Sequence, residues 1–516
     1  MMIERENHIQ KRRIFTSSGI VSICGIVYQV LYGAAGGYLF GDSTLFYCLT
    51  IGLFLSGMGI GAMHSGKFHR HLMSKFVITE YLIAVIGGFS IFSVFYIQAN
   101  FGDGTSKVFL YAIIIITGYL TGLEVPLLIR KSEEIDSDLK GSTANVLGWD
   151  YVGSLLGTVA FAFWLKPHLG LIKTGFFIAF INILVALWIS FTFKKEIKQN
   201  YIRMTGILLT IVIGFGFLYG EKYAHTLEQK LYRDPIVFSK DTKYQKIIMT
   251  KDTGDLRLYQ NGQLQFAESD EHRYHEALVH IPMSLSDKKT HVLVLGGGDG
   301  LATRELLKYK EIQDITLVDL DPEMTDLSKE NPLLTKLNQN SLHSKKVSII
   351  NADAFNYLKN ADDVYDVILV DLPDPNNESL NKLYTWEFYS LIRNHLTPTG
   401  LVSIQSTSPV FATAAFWTIS NTVKSTGLYV DNYHLDIPSF GNWGFTLASR
   451  EKFEVDHVKL EVKTSYLADE MIESLFYFGK DEDQDITIKG KHFEVPVNSL
   501  NRPDLLDLYE KAWDYY

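Results

Sequence analysis

Several short strings of residues carry the chemistry that can be read from this chain. His291-Val-Leu-Val-Leu295 is a continuous apolar run, the pattern of a strand buried on both faces of a parallel sheet. Gly296-Gly297-Gly298-Asp299-Gly300 follows, where glycines let the backbone turn sharply and lie against a ligand with no side chain between. A helical pattern from Leu301 to Tyr309 comes next, and then a strand-like run, Ile315–Val318, that ends in Asp319. That is about the 20-residue interval at which an acidic residue reaches ribose hydroxyls in nucleotide-binding βαβ units. Val347–Ile350 leads into Asn351-Ala352-Asp353-Ala354, and Val367–Val370 leads into Asp371-Leu-Pro-Asp374-Pro375. Successive strands thus end in Asp319, Asp353 and Asp371, at the carboxyl edge where open α/β sheets bind their ligands. Carboxylates gathered there suit a ligand that carries positive charge.

The strict dinucleotide fingerprint is absent, because Leu301 stands where its last glycine would be. The pattern Gly296-x-Gly298-x-Gly300 instead resembles the S-adenosyl-ligand loop of the Rossmann-like methyltransferase fold. With further motifs in order, the chain from about Leu231 to Arg450 closely resembles the spermidine-synthase family of aminopropyltransferases. Those motifs are Tyr244-Gln245, the hairpin Leu258–Gln265, the acidic segment Asp270–Glu276, the loop Gly296–Gly300, the Asp371–Pro375 loop, Leu383-Tyr-Thr and Phe388-Tyr389. The N-terminal part is similar to the membrane extension of a bacterial subset, in Gly41-Asp42-Ser43, Ile51–Ser56 and Gly122–Pro126.

The resemblance implies decarboxylated S-adenosylmethionine as donor and putrescine as acceptor, giving spermidine and methylthioadenosine. It implies neither cofactor nor metal, and a homo-oligomer. An alkylammonium titrates near pH 10, so the attacking amine must lose a proton to a base. By motif that base is Asp371. Asp374, Tyr274, His275 and Gln405 match polyamine contacts, and Asp299 the donor's aminopropyl ammonium. Gln245, Gly296, Gly298, Asp319, Asp353 and Ala354 match contacts to the donor nucleoside. Loop capping is the plainer role for Asp299 and Asp353, as is a structural one for His275. Two departures stand out: the nucleotide acid, often glutamate in the family, is the shorter Asp319, and Asn376-Asn377-Glu378 replaces the family's second proline. Two other readings share these residues: an N-methyltransferase acting on a polyamine, and a membrane polyamine sensor or transporter with a nucleotide-binding domain.

These residues must be held by a Rossmann-like α/β domain, expected over 286–460. A small β domain is expected over 221–285, where Asn261-Gly262 between alternating segments signals a two-residue hairpin. Residues 461–516 form an extension to which no function attaches. Residues 1–220 read as a multi-span membrane domain. A bilayer core takes about 20 apolar residues to cross, and stretches near 14–40, 43–63, 76–97, 108–129, 144–165, 169–193 and 202–219 qualify. Glycines in the second and fifth stretches predict close helix packing. Glu80, Glu124, Asn145 and Asp150 interrupt the apolar runs; Glu80 and Asp150 are expected near span ends and Glu124 centrally. Cys24 and Cys48 are expected to be buried in the membrane, with no disulfide framework.

A net charge of −10 argues against nucleic acid as a partner. Basic residues before the first stretch and at 67–75, 130–140 and 194–203 place the N-terminus in the cytoplasm. Seven crossings would then leave the C-terminal domain outside, although its substrates are cytosolic. Either one stretch does not span or the enzyme faces outward; a multi-pass cell-membrane protein with a cytoplasmic catalytic domain is the expectation taken forward.

Overall fold

The computed structural model describes residues 2–40, 43–455, 458–484, 487–488 and 491–513, so Gly41 and Asp42 of the first membrane motif lie outside the described residues. The chain divides into two units, Met1–Pro235 and Ile236–Tyr516.

The first unit is helical: α1 (Met2–Phe40), α2 (Ser43–Ser65), α3 (Leu72–Phe101), α4 (Asp103–Asp136), α5 (Leu139–Ala160), α6 (Lys166–Thr192) and α7 (Asn200–Gln229). Among the described residues, six continuous helices are long and apolar enough to cross a membrane, against the seven stretches expected. The difference lies in the 54 residues of Leu139–Thr192, where α5 continues into α6 through a π-helical turn, Phe161–Leu165. That run is interrupted at Gly170, whose φ of 66° and ψ of −175° are not helical. At 1.5 Å per residue the whole run would be about 80 Å long, more than twice a hydrocarbon core. The break is what lets the two halves pack separately, α5 on α1 and α6 on α3.

The small residues pack as expected. A Cβ on Gly61 would lie 2.0 Å from the Tyr119 carbonyl oxygen, and one on Gly122 2.1 Å from that of Met58, so α2 and α4 touch backbone to backbone. Gly153 meets Gly19 of α1 in the same way. Arg130 donates to the carbonyls of Ser65 and Phe68, satisfying groups left open where α2 ends. One expectation is corrected. Glu80 is fully buried rather than reaching an interface; α3 begins at Leu72 and so carries Glu80 well inside the bundle. Cys24 is buried beside Ile178, and Cys48 lies on the outer face of α2, one of the helices long and apolar enough to cross a membrane.

The second unit opens with an antiparallel sheet, β1 (Ile236–Asp241), β2 (Lys246–Asp252), β3 (Asp255–Gln260) and β4 (Gln263–Ala267), in sequential order. Asn261 and Gly262 have φ of 49° and 83°, the paired positive values of a tight hairpin. The acidic segment does not join this sheet. It starts a helix, α8 (Glu271–Leu285), whose Leu278 and Ile281 are fully buried in one cluster with Val292 and Ile315 of the large sheet.

That sheet comprises β5 (His291–Gly296), β6 (Asp314–Asp319), β7 (Val347–Asn351), β8 (Tyr365–Asp371), β9 (Leu396–Gln405), β10 (Tyr429–Ile437) and β11 (Gly441–Ser449). Its order is β10-β11-β9-β8-β5-β6-β7, with β5 to β9 parallel and the last two strands antiparallel. Chain progress reverses between β5 and β8, and the crevice outside their carboxyl ends is where such sheets bind ligands. Described residues after 461 pack into this unit's core: Glu276 accepts from the backbone amides of Tyr466 and Leu467, and Leu505 and Tyr509 pack in the cluster on one face of the sheet.

Candidate active site

Register brings the glycine loop and the acidic loop together. Gly296 of β5 pairs with Asp371 of β8, and the Gly297 amide donates to the Asp371 carbonyl at 3.1 Å. Gly296 has φ of 83°, and a Cβ there would sit 2.0 Å from the Asp371 carbonyl oxygen, so no other residue fits. Above this point opens a cavity of about 520 Å³. Gln245, Tyr274, His275, Gly296, Gly298, Asp299, Asp319, Asp353, Ala354, Asp371, Asp374 and Gln405 all line it.

Asp319 ends β6 with one carboxylate oxygen on the Gly298 amide (3.0 Å) and the other on the Asp321 amide (2.9 Å). Burial outweighs these donors and lifts its pKa to about 6. Asp299 caps the turn by accepting from the Leu301 amide at 2.8 Å, and burial raises it to about 6 in spite of nearby His275. Asp353 is the N-cap of the Ala354–Asn360 helix, accepting from the Asn356 amide, and pairs with Lys382. The capping roles foreseen for Asp299 and Asp353 are therefore present, on carboxylates that also face the cavity. Gln245 reaches Asp321 at 3.0 Å, and Asp321 also accepts from Thr242.

At the other end, Tyr274 donates to Asp371 Oδ1 at 2.6 Å. Burial raises the Asp371 pKa, offset by His275 and by this hydrogen bond. His275 sits on Glu271, Nδ1 to Oε2 at 2.9 Å. Burial alone would lower its pKa, but the Glu271 carboxylate raises it to about 9, so His275 is a fixed cation beside the acids. Asp374 accepts from Gln405 Nε2 (3.0 Å), Thr407 Oγ1 (3.2 Å) and Tyr509 hydroxyl (2.8 Å), three neutral donors, and burial raises its pKa. Thr407 holds a φ of 60°, a left-handed geometry costly for a β-branched residue, and its amide donates to Gln405. Asn376-Asn377 makes a short cap instead of a proline turn, Asn377 accepting from the Leu380 amide.

Sequence reasoning missed Asp321, Thr407, Tyr509, Trp513 and the Glu271–Arg304 pair. Asp321 had a readable signal, the Asp-Pro helix start at Asp321-Pro322, whereas the others meet the site only through folding. Six aspartates line the cavity and, among the described residues, no lysine or arginine does. Their negative potential is met by His275, which lines the cavity, and by Lys382, which pairs with Asp353.

This strand order, with a glycine turn after β5 and an acidic cavity at the reversal point, defines a transferase of the S-adenosyl-ligand type. Residues 271–459 match the family model described as Spermine/spermidine synthase domain. A polyamine aminopropyltransferase of Oceanobacillus iheyensis is 51% identical over 98% of both chains. One of Leptospira interrogans is 38% identical over 97% of this chain and 98% of its own. Among solved structures, that of a spermidine synthase in complex with the transition state analogue AdoDATO is similar over 48% of this chain and 88% of that chain, with 24% identity and a TM-score of 0.45. The chain belongs to the polyamine aminopropyltransferase family.

Proposed function

We propose that this enzyme transfers the aminopropyl group of decarboxylated S-adenosylmethionine to putrescine, forming spermidine and methylthioadenosine. One observation carries the reading: among the described residues, the cavity is lined by six carboxylates and no lysine or arginine, a lining suited to a donor with sulfonium and ammonium charges and to a diammonium acceptor. Gly296, Gly298 and Ala354 bring backbone close to the nucleoside, Asp319 takes its ribose hydroxyls, and Gln245 and Asp353 flank it. Asp299 takes the aminopropyl ammonium. Tyr274, His275, Asp374 and Gln405 orient the acceptor.

The reaction is a single displacement. Asp371 accepts a proton from the acceptor ammonium, and the freed lone pair attacks the aminopropyl methylene bonded to the sulfonium sulfur. The carbon–sulfur bond breaks, its electrons pass to sulfur, and the sulfonium becomes a neutral thioether. Burial, by raising the Asp371 proton affinity, makes it a better base, while Tyr274 keeps it aimed. The remaining gain is positioning of two reactants in line.

A matrix of donors and diamines, assayed on the full chain with product masses identified, tests the reading. Spermidine and methylthioadenosine from decarboxylated donor and putrescine are expected; methylated amine from S-adenosylmethionine, with the decarboxylated donor ignored, would overturn it. The acids also predict a pH dependence. Asp299 and Asp319 must be ionised to hold the donor, and burial lifts both to about 6. Donor kcat/KM is therefore flat above pH 7 and falls by about tenfold or more per pH unit below pH 5. A profile flat to pH 4.5 would contradict these roles.

The helical unit sits in the lipid bilayer of the cell membrane, with the catalytic unit on the cytoplasmic side and the protein a homo-oligomer. Outward-facing Leu55, Ile60, Leu155 and Leu218, each more than half exposed in the isolated chain, support a lipid surround. A reporter fused after Tyr516 that is active only outside the cell would contradict the sidedness.

A further inference from the structure

The C-terminal helix Asp504–Trp513 reaches the cavity from a segment about 130 residues beyond the acidic loop, and two of its side chains line it, Tyr509 and Trp513. It is built in rather than draped over. Leu505 is fully buried, and its amide donates to Asn498 Oδ1. Asn498, itself fully buried, donates through Nδ2 to Asn381 Oδ1 and to the Tyr384 carbonyl, tying the segment to the helix that follows Asp374. Tyr509 then puts its hydroxyl 2.8 Å from Asp374 Oδ2. Trp513 packs at a tilt against Tyr509 and Phe411, with ring centroids 6.0 and 5.9 Å apart, and its indole N–H, buried, meets no acceptor among the described residues.

Asp374 has three neutral donors and, among the described residues, no cation paired with it, so its charge is oriented but not neutralised. An ammonium placed there completes it. Beyond Asp374 the wall is aromatic, and an aromatic face attracts an ammonium while an indole N–H cannot bind one. We infer that the Asp504–Trp513 helix forms the distal wall of the acceptor subsite: Tyr509 positions Asp374 for the acceptor's far ammonium, and the Trp513 ring sets the length of diamine admitted. This rests on the aminopropyl-transfer reading, in which the Asp374 end takes the acceptor.

The test uses full-length protein with Tyr509→Phe, Trp513→Phe and Trp513→Ala, and 1,3-diaminopropane, putrescine, cadaverine and spermidine as acceptors at saturating donor. Tyr509→Phe removes a hydrogen bond to a charged group, so putrescine KM rises about tenfold while kcat falls less than about threefold. Trp513→Ala deepens the subsite and shifts the cadaverine-to-putrescine kcat/KM ratio toward cadaverine by about tenfold; Trp513→Phe keeps the ratio within about twofold of wild type. Methylthioadenosine affinity, measured by calorimetry, stays within about twofold in all three, since the donor lies elsewhere. Unchanged KM in Tyr509→Phe together with unchanged ratios in Trp513→Ala overturns the inference. So does a matching loss of methylthioadenosine affinity in both tryptophan variants, which would make the helix merely structural. Calorimetric binding of the same four amines in the presence of methylthioadenosine reads the selectivity without turnover. Selectivity that shifts in binding while wild type makes no aminopropyl product would instead sink the reaction assignment and leave the subsite standing.

Discussion

Asp371→Asn lowers kcat by about 10²–10⁴-fold while methylthioadenosine affinity stays within about tenfold. The asparagine keeps the shape and still accepts from the Tyr274 hydroxyl through Oδ1, and the backbone pairing of Gly296 with Asp371 does not involve the side chain. What it loses is the ability to take a proton. At neutral pH only about one amine in a thousand is unprotonated, from an ammonium pKa near 10. The variant must use that fraction, so its residual rate rises about tenfold per pH unit up to about pH 9, a slope the wild type lacks. Steady-state rates across pH read both effects. Undiminished turnover, or a residual rate with the wild-type pH profile, would remove Asp371 from the proton transfer.

Arg304→Met costs about 3–5 kcal/mol of stability in the catalytic unit, the range for breaking a buried ion pair by removing one partner. Arg304 is nearly buried, with NH1 and NH2 on the two Glu271 oxygens at 2.8 and 2.9 Å and Nε on Glu305 at 2.8 Å. Methionine fills much of the volume and leaves two carboxylates short of a cation. Burial alone would raise the Glu271 pKa, but His275 and Arg304 overcome it and hold it at about 2. The stabilisation from that ionised carboxylate is present above pH 4.5 and is lost as pH falls through about 2. The raised His275 contributes fully below pH 6.5 and is lost as pH rises through about 9. Chemical denaturation followed by near-ultraviolet circular dichroism checks this; a loss under about 1 kcal/mol would show the network to be slack. Catalysis suffers too, because Glu271 anchors His275, the neighbour of Tyr274. Arg304→Lys restores only part, since one ammonium cannot fork across both glutamates.

The parts of the site that were legible in the sequence are local ones. Val292–Leu295 into Gly296–Gly300 is strand, turn and helix start in a dozen residues, and Asn261-Gly262 declares its hairpin through two positive φ values. The acids at strand ends were readable because parallel strands in one sheet end at one edge. Contacts that depend on distant segments were not readable. Nothing near Asp374 announces Tyr509, and nothing in Glu271 announces Arg304, because each meeting depends on how helices lie over the sheet. The acidic segment is assigned to the β domain by sequence proximity alone; its apolar positions Leu278 and Ile281 instead bury it against the large sheet. In the helical unit, apolar length identified the helices, but not that Gly170 would interrupt a single 54-residue run or that Glu80 would turn inward.

A ligand-bound structure of the full chain with methylthioadenosine and putrescine bears most directly on the carboxylate mechanism. One amine nitrogen should lie about 3 Å from Asp371 and face the thioether side, with the second nitrogen against Asp374 and the Tyr509 hydroxyl. A diamine bound away from both carboxylates, or a nucleoside lying across the Asp371–Asp374 loop in its place, would contradict it.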